Sequence, residues 1–310
     1  MKILAIAAVL AAGASAQPSG VARVMGFETT VTAATETVPA QPKIERVSPA
    51  PAGIAGIMAL VGENQERASD LRKEFTFHQK QLLRLNRGGG RIAREEKREY
   101  DVSPGRHTVS KELVHFEGRY DYKGKYVAYD RPGYKYKDMD IDGELIDGLS
   151  KDLTDDRHSR DGISCDLFPL TAGQQHKYNF KLLGKESHRG RDVYRVAFEP
   201  KPHQDFDEAA WKGEALIDAA EYQPVSVHTK LALKIPLAVK TLLGTDLKGL
   251  GFSVTYQKFE EGVWFPVSYG GEFEVRAVFF YKRTISVNMV NSDFRRTNVT
   301  SNVTYVTEAK

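Results

Sequence analysis

The stretch WKGEALIDAAEYQPVSV, Trp211 to Val227, carries the reading on which the fold turns. On an extended chain Trp211, Gly213, Ala215 and Ile217 share one face, and Lys212, Glu214, Leu216 and Asp218 share the other. One apolar face backed by one mixed face is what a half-buried antiparallel strand requires. Asp218 opens the break DAAEYQP, where a carboxylate can accept backbone N–H bonds and hold a reversal. Val225, Val227, Thr229, Leu231 and Leu233 then supply a returning strand. The same stretch sets Glu214, Asp218 and Glu221 beside a tryptophan, as a carboxylate active site would. A hairpin accounts for the whole stretch, an active site only for its acids, so the hairpin is preferred.

Strand signals continue on both sides. GKESHRGRDVYRVAFEP reverses at His188-Arg189-Gly190, and the run from Gly251 to Arg296 is split at Glu260-Glu261-Gly262 and at Tyr281-Lys282-Arg283. Near the N-terminus, Phe75, Phe77, Gln79 and Gln81 alternate with Thr76, His78, Lys80 and Leu82. Gly88-Gly89-Gly90 then turns the chain into a second strand from Arg91 to Val102. Three helices are expected. One follows Ile54, with Ile57, Leu60, Val61, Ala68 and Leu71 on its stripe; another is acidic, with Ile141, Leu145, Leu149 and Leu153 at four-residue spacing. A third interrupts the strands at KIPLAVKTLLGTDLKGLG, opened by Pro236 and closed by Gly244. A short apolar helix placed between two strands must cover something, and the concave face of a sheet is the natural candidate.

Composition narrows the function classes. Charged residues are 27% of the chain and the net charge is +3, which lacks the concentrated basic face that nucleic-acid binding needs. MKILAIAAVLAAGASAQ has a basic start, an apolar run from Ile3 to Ala12 and a small-residue site at Ala14-Ser15-Ala16. It reads as a cleavable export signal over residues 1–16, too short to span a bilayer. No integral membrane span is expected after its removal. Residues 17–53, with Pro18, Pro39, Pro42, Pro49 and Pro51, read as a flexible tether. Residues 54–310 read as a single β domain. Cys165 is the only cysteine, so no intramolecular disulfide forms, and its apolar setting ISCDLFPL points to an inert buried thiol.

Signs of chemistry are sparse. The eight histidines show no HxH, HExxH or HxxxH spacing, so no metal site and no cofactor is expected. GxSxG and P-loop patterns are missing. DDRHSRD, Asp155 to Asp161, is the densest polar cluster and the one candidate for a hydrolase site, built around His158. Asn298 and Asn302 each open an N-x-T acceptor pattern in a β-like tail.

The strand-turn-strand GKESHRGRDVYRVAFEP and the pattern W-x-G-x-x-x-I-D-x-x-x-x-x-P-x-x-V over Trp211–Val227 are similar to units of the LolA/LolB-like family. That family comprises outer-membrane lipoprotein-sorting and periplasmic lipoprotein-binding proteins. The resemblance covers roughly residues 56 to 310 and rests chiefly on 184 to 310. It implies a mainly β (α+β) fold, a large curved antiparallel sheet or half-barrel with helices covering the concave face. Family members hold acyl chains in that hollow. The expectation is therefore an exported, periplasmic or extracellular, non-enzymatic carrier or sensor for an acyl chain, lipid or lipoprotein. Ile235, Leu237, Val239, Leu242 and Leu243 would form a movable cover, and Phe252, Val254, Phe273 and Val275 the lining. Two alternatives stand beside it: a cell-envelope protein-interaction module without a small ligand, and the hydrolase at residues 155–161.

Overall fold

The computed structural model describes residues 53–104, 109–154, 170–204, 210–232, 246–248, 251–260, 262–277 and 281–297. The expected export signal, the expected tether up to residue 52, Cys165, the 155–161 cluster, the 235–243 segment and both N-x-T patterns lie outside them. The chain opens with α1 (Gly53–Arg72), then β1 (Phe75–Asn86), β2 (Ile92–Pro104), β3 (Val109–Tyr122) and β4 (Lys125–Tyr129). Next come α2 (Ile141–Thr154), the single turn α3 (Ala172–Gln175), β5 (Tyr178–His188), β6 (Arg191–Pro200), β7 (Trp211–Asp218) and β8 (Pro224–Leu231). The last strands are β9 (Asp246–Lys248), β10 (Ser253–Glu260), β11 (Val263–Ala277) and β12 (Tyr281–Arg296).

All strands join one sheet in the order β4-β3-β2-β1-β12-β11-β10-β8-β7-β6-β5, with β9 paired to β11 off that path. Every pairing is antiparallel. Two meanders, β1–β4 and β5–β8, are joined by β10–β11–β12, and β12 pairs β1 from Thr284↔Asn86 to Arg296↔Phe75. Among the described residues β4 and β5 are edges that do not meet, so the sheet is open. Twist between neighbouring strands makes a sheet this wide coil, and the helices occupy its concave side. α1 packs on β11 and β5, and α2 packs on β1 and β2.

Period-two alternation explains which residues point inward. In β1 the odd positions Phe75 to Leu85 are buried and the even ones are not. Register carries that face across the sheet through Leu83↔Val287, Gly271↔Val287, Tyr269↔Val254, Val254↔Val227, Val227↔Ala215 and Ala215↔Val196. These side chains, with Ile57, Met58 and Val61 of α1 and Ile146 and Leu149 of α2, form one continuous apolar core.

Three sequence expectations need correction. The buried stripe of α1 is Ile57, Met58, Val61, Gly62, Gln65, Ala68 and Arg72; Leu60 and Leu71 are only half-buried. Gln65 and Arg72 are admitted because Gln65 Nε2 donates to Gln223 Oε1 (2.7 Å) and Arg72 donates to the Trp264 carbonyl (3.2 Å). Tyr281-Lys282-Arg283 is not a turn. It opens β12, paired with Ala277, Arg276 and Val275. Finally, Asp246–Lys248, which the sequence leaves between the insert closed by Gly244 and the next strand, is itself a short strand on β11.

Candidate ligand-binding face

The Trp211–Val227 hairpin forms as its alternation requires, with Trp211, Gly213, Ala215 and Ile217 facing the core. Asp218 accepts from the backbone N–H groups of Ala220 (3.0 Å) and Glu221 (2.9 Å), which tightens the reversal. Glu214 sits on the outer face, paired with Arg195 at 2.7 Å. Glu221 accepts from Trp264 Nε1 (3.0 Å) and Lys258 Nζ (2.8 Å). The acids of the stretch thus have separate partners: Glu214 is on the outer face, and Asp218 and Glu221 are committed at the turn.

The inner face of β7, β10 and β11 is lined by aromatic rings. Trp211 meets Phe252 at 5.7 Å between centroids, and Phe252 meets Phe273 at 6.2 Å, both edge-to-face. Val254, Val275 and Tyr269 fill the spaces between them. Burial pushes the pKa of the Tyr269 hydroxyl far up, the mark of a medium poor in water. Gly213 is required here: a Cβ at that position would run into the His228 carbonyl and approach the Phe198 ring to 3.1 Å. The four lining residues expected from the sequence, Phe252, Val254, Phe273 and Val275, therefore share one face, each at most 5% exposed.

Two fixed points flank this row. At one end Ala232 N–H donates to the Ala210 carbonyl (2.8 Å), next to Trp211. At the other, β9 pairs Leu247 with Val275 and Lys248 with Glu274.

Polar networks bound the apolar face. A chain of bonds runs from Ser150 Oγ to Gln81, from Gln81 to Gln79, from Gln79 to Asn291 and on to the Pro266 carbonyl, at 2.8, 2.8, 3.1 and 2.9 Å. Under α2 lies a buried ionic cluster. Arg94 donates to Asp140 (2.6 Å) and to the Tyr129 hydroxyl (2.7 Å), Tyr129 donates to Glu96 (2.7 Å), and Arg98 donates to Glu96 (2.5 and 2.8 Å). Burial first, and then the charge of Glu96, drives the Tyr129 pKa up, so this hydroxyl stays a donor. Asp140 also accepts from Gly143 N–H (3.1 Å) at the first turn of α2. Every charge here has a partner, so the cluster is a strut holding α2 on the sheet. The sequence reading missed it; the one signal was REEKREY, a strand with charged residues on both faces.

A groove of about 920 Å³ lies outside the β2–β3–β4 corner, lined by Arg84, Glu95, Lys97, Glu117, Arg119 and Tyr134 among others. Its charges balance: Arg84 and Arg119 share Glu95, Lys97 pairs with Glu117, and Asp130 also lines the groove. No group of metal-ligating side chains occurs among the described residues, and no helix there is long and apolar enough to cross a membrane.

No family model and no curated protein matches the sequence. Solved structures of similar architecture include a putative outer membrane lipoprotein-sorting protein domain from Vibrio parahaemolyticus, 11% identical over 79% of this chain and 93% of that one, with a TM-score of 0.36. A DUF1329 family protein from Desulfovibrio piger is 11% identical over 80% and 95%, with a TM-score of 0.33. A LolA superfamily protein from Nitrosomonas europaea is 11% identical over 77% and 94%, with a TM-score of 0.31. A likeness of this size carries no residue's role from those proteins to this chain.

Proposed function

We propose that this chain is an exported, non-enzymatic carrier or sensor that holds an apolar ligand, an acyl chain or lipid, against the inner face of its curved sheet. The observation that supports it most is the buried aromatic row Trp211–Phe252–Phe273 on the inner face of the sheet. In this reading Ile235, Leu237, Val239, Leu242 and Leu243 are the cover, and Phe252, Val254, Phe273 and Val275 are the surface exposed when the cover moves. Transfer of hydrocarbon from water supplies the binding energy, about 0.8 kcal/mol per buried methylene before ordering costs. Native mass spectrometry of protein purified from its own host tests this. Retained lipid, or displacement of a fluorescent fatty acid by unlabelled acyl chains, is the expected result. Consistently empty protein that also fails to bind fluorescent fatty acids contradicts it.

A second reading, an envelope protein-interaction module, is favoured by one feature. β4 pairs with β3 only from Gly118 onward, so among the described residues Val109–Glu117 is a sheet edge with Leu113 and Val114 exposed. Bare edges accept an added strand. Crosslinking in the envelope separates the two, because a carrier releases its cargo and a module stays with one partner.

A further inference from the structure

Outside the inner face, the sheet splits at one place. β10 pairs β8 only through Ser253, Val254 and Thr255, then continues to Glu260 while β8 begins at Pro224. A register shift between Thr255 and Tyr256 against β11 widens the gap. The hollow left there has a volume of about 400 Å³ and is walled by the tip of the β5–β6 hairpin, the start of β8, and β10 and β11. That volume suits a small ligand.

The lining is one-sided in charge. His188, Arg189, Arg191 and Lys258 face the hollow with Thr255 and Gln257, and no acidic residue lines it. Beneath it lie Asp218, 3.2 Å from Arg191, and Glu221, 2.8 Å from Lys258. These acids are already committed, Asp218 to two backbone N–H groups and Glu221 to the Trp264 indole. Arg189 makes no ion pair among the described residues. Three permanent cations against two carboxylates leave one positive charge uncompensated. The cations keep spare donors: Arg191 uses one end on Asp218 and lies 5.2 Å over the Trp264 ring, so its fork is held in place. Arg189 (φ 50°) and Gly190 (φ 79°) form a tight reversal that presents Arg189 on a short rigid tip.

We propose that this hollow is a phosphate-binding site, taking a phosphomonoester carried on a small apolar or planar body. Guanidinium forks match phosphate oxygens two at a time, and Val225, Val267, Tyr256 and Trp264 offer an apolar wall for the rest. The site does not depend on the inner face holding a ligand. The phosphate has two possible sources, a soluble organophosphate and a phospholipid headgroup.

Calorimetric titration of the full chain with phenyl phosphate tests the site. Co-sedimentation with phosphatidylcholine vesicles, with and without phosphatidic acid, tests the lipid source. Saturable phenyl phosphate binding is expected, weakened about tenfold or more by Arg189→Asn and by Arg191→Gln. Asn tolerates the left-handed backbone at 189, and the thermal melt of each variant checks its fold. Arg195→Gln, on β6 but paired with Glu214, is expected to leave binding unchanged. Phosphatidic-acid-dependent sedimentation lost in the same two variants assigns the lipid source; its absence alongside phenyl phosphate binding assigns the soluble one. Failure of the wild type in both arms overturns the proposal, as does an equal loss in Arg195→Gln.

Discussion

At the scale of single residues, the chain uses polar side chains to fix backbone where apolar packing cannot. Asp218 is 2% exposed and serves two N–H groups and Arg191. Asp218→Ala is expected to lower stability by about 1–2 kcal/mol in urea unfolding, the cost of a lost cap and stranded donors; an unchanged midpoint would show that the turn holds without it. His78 sits between Asp101 (Nδ1, 2.9 Å) and Glu99 (Nε2, 3.0 Å) on the outer face. The Asp101 bond raises the His78 pKa above its ordinary 6.5 against the opposing pull of burial, and Glu99 adds to the rise. A raised folded-state pKa gives stability that is fully present below 6.5 and fades as pH climbs through the folded value. Glu99, lowered from 4.5 first by its His78 bond, acts in the other sense and loses its share as pH falls. His78→Gln should therefore cost most between about 4.5 and 6.5 and nothing at alkaline pH. Partial exposure keeps the loss under about 1 kcal/mol. An NMR titration placing the imidazole at or below 6.5 would contradict this.

At the scale of elements, α2 is attached through charge as well as through Ile146 and Leu149. Asp140 caps its first turn and neutralises Arg94, whose side chain is almost wholly buried. Asp140→Ala leaves that guanidinium buried without its acid, and a loss of about 3 kcal/mol or more is expected. Glu144→Gln on the same helix breaks only the exposed pair with Lys135 and should cost under about 1 kcal/mol. Equal effects in thermal unfolding would show that the cluster is not a strut. The legibility of elements follows the range of their causes. The β1–β2 and β7–β8 hairpins could be read because alternation and turn residues lie within the hairpin itself. The role of Arg94 could not, because its partners Tyr129 and Asp140 stand 35 and 46 residues away. Nor could the three residues of β9, which are a strand only because the edge of β11 lies beside them. Tyr281–Arg283 failed as a turn for a similar reason. Asp142 of α2 binds Tyr281 (2.7 Å) and Arg283 (2.9 Å), drawing polar residues into the start of β12.

At the scale of the whole molecule, the last strand joins the first, and two meanders become one open sheet whose main apolar core lies on the inner face. The mainly β class and the helix-covered face were legible from strand spacing and from the W-x-G and I-D positions. The inward direction of Phe252, Val254, Phe273 and Val275 was not, because a one-residue slip in register would have turned each of them outward. The two tryptophans now report on different places. Trp211 belongs to the aromatic row of the inner face, and Trp264 to a separate cluster with Val193 and Val225. Brominated fatty acids quench tryptophan only on contact, so the single-tryptophan variants Trp264→Phe and Trp211→Phe test the carrier reading most directly. Quenching of Trp211 in the first variant, with Trp264 in the second unaffected, is the predicted result. No quenching in either, or equal quenching in both, would contradict an apolar ligand on the inner face.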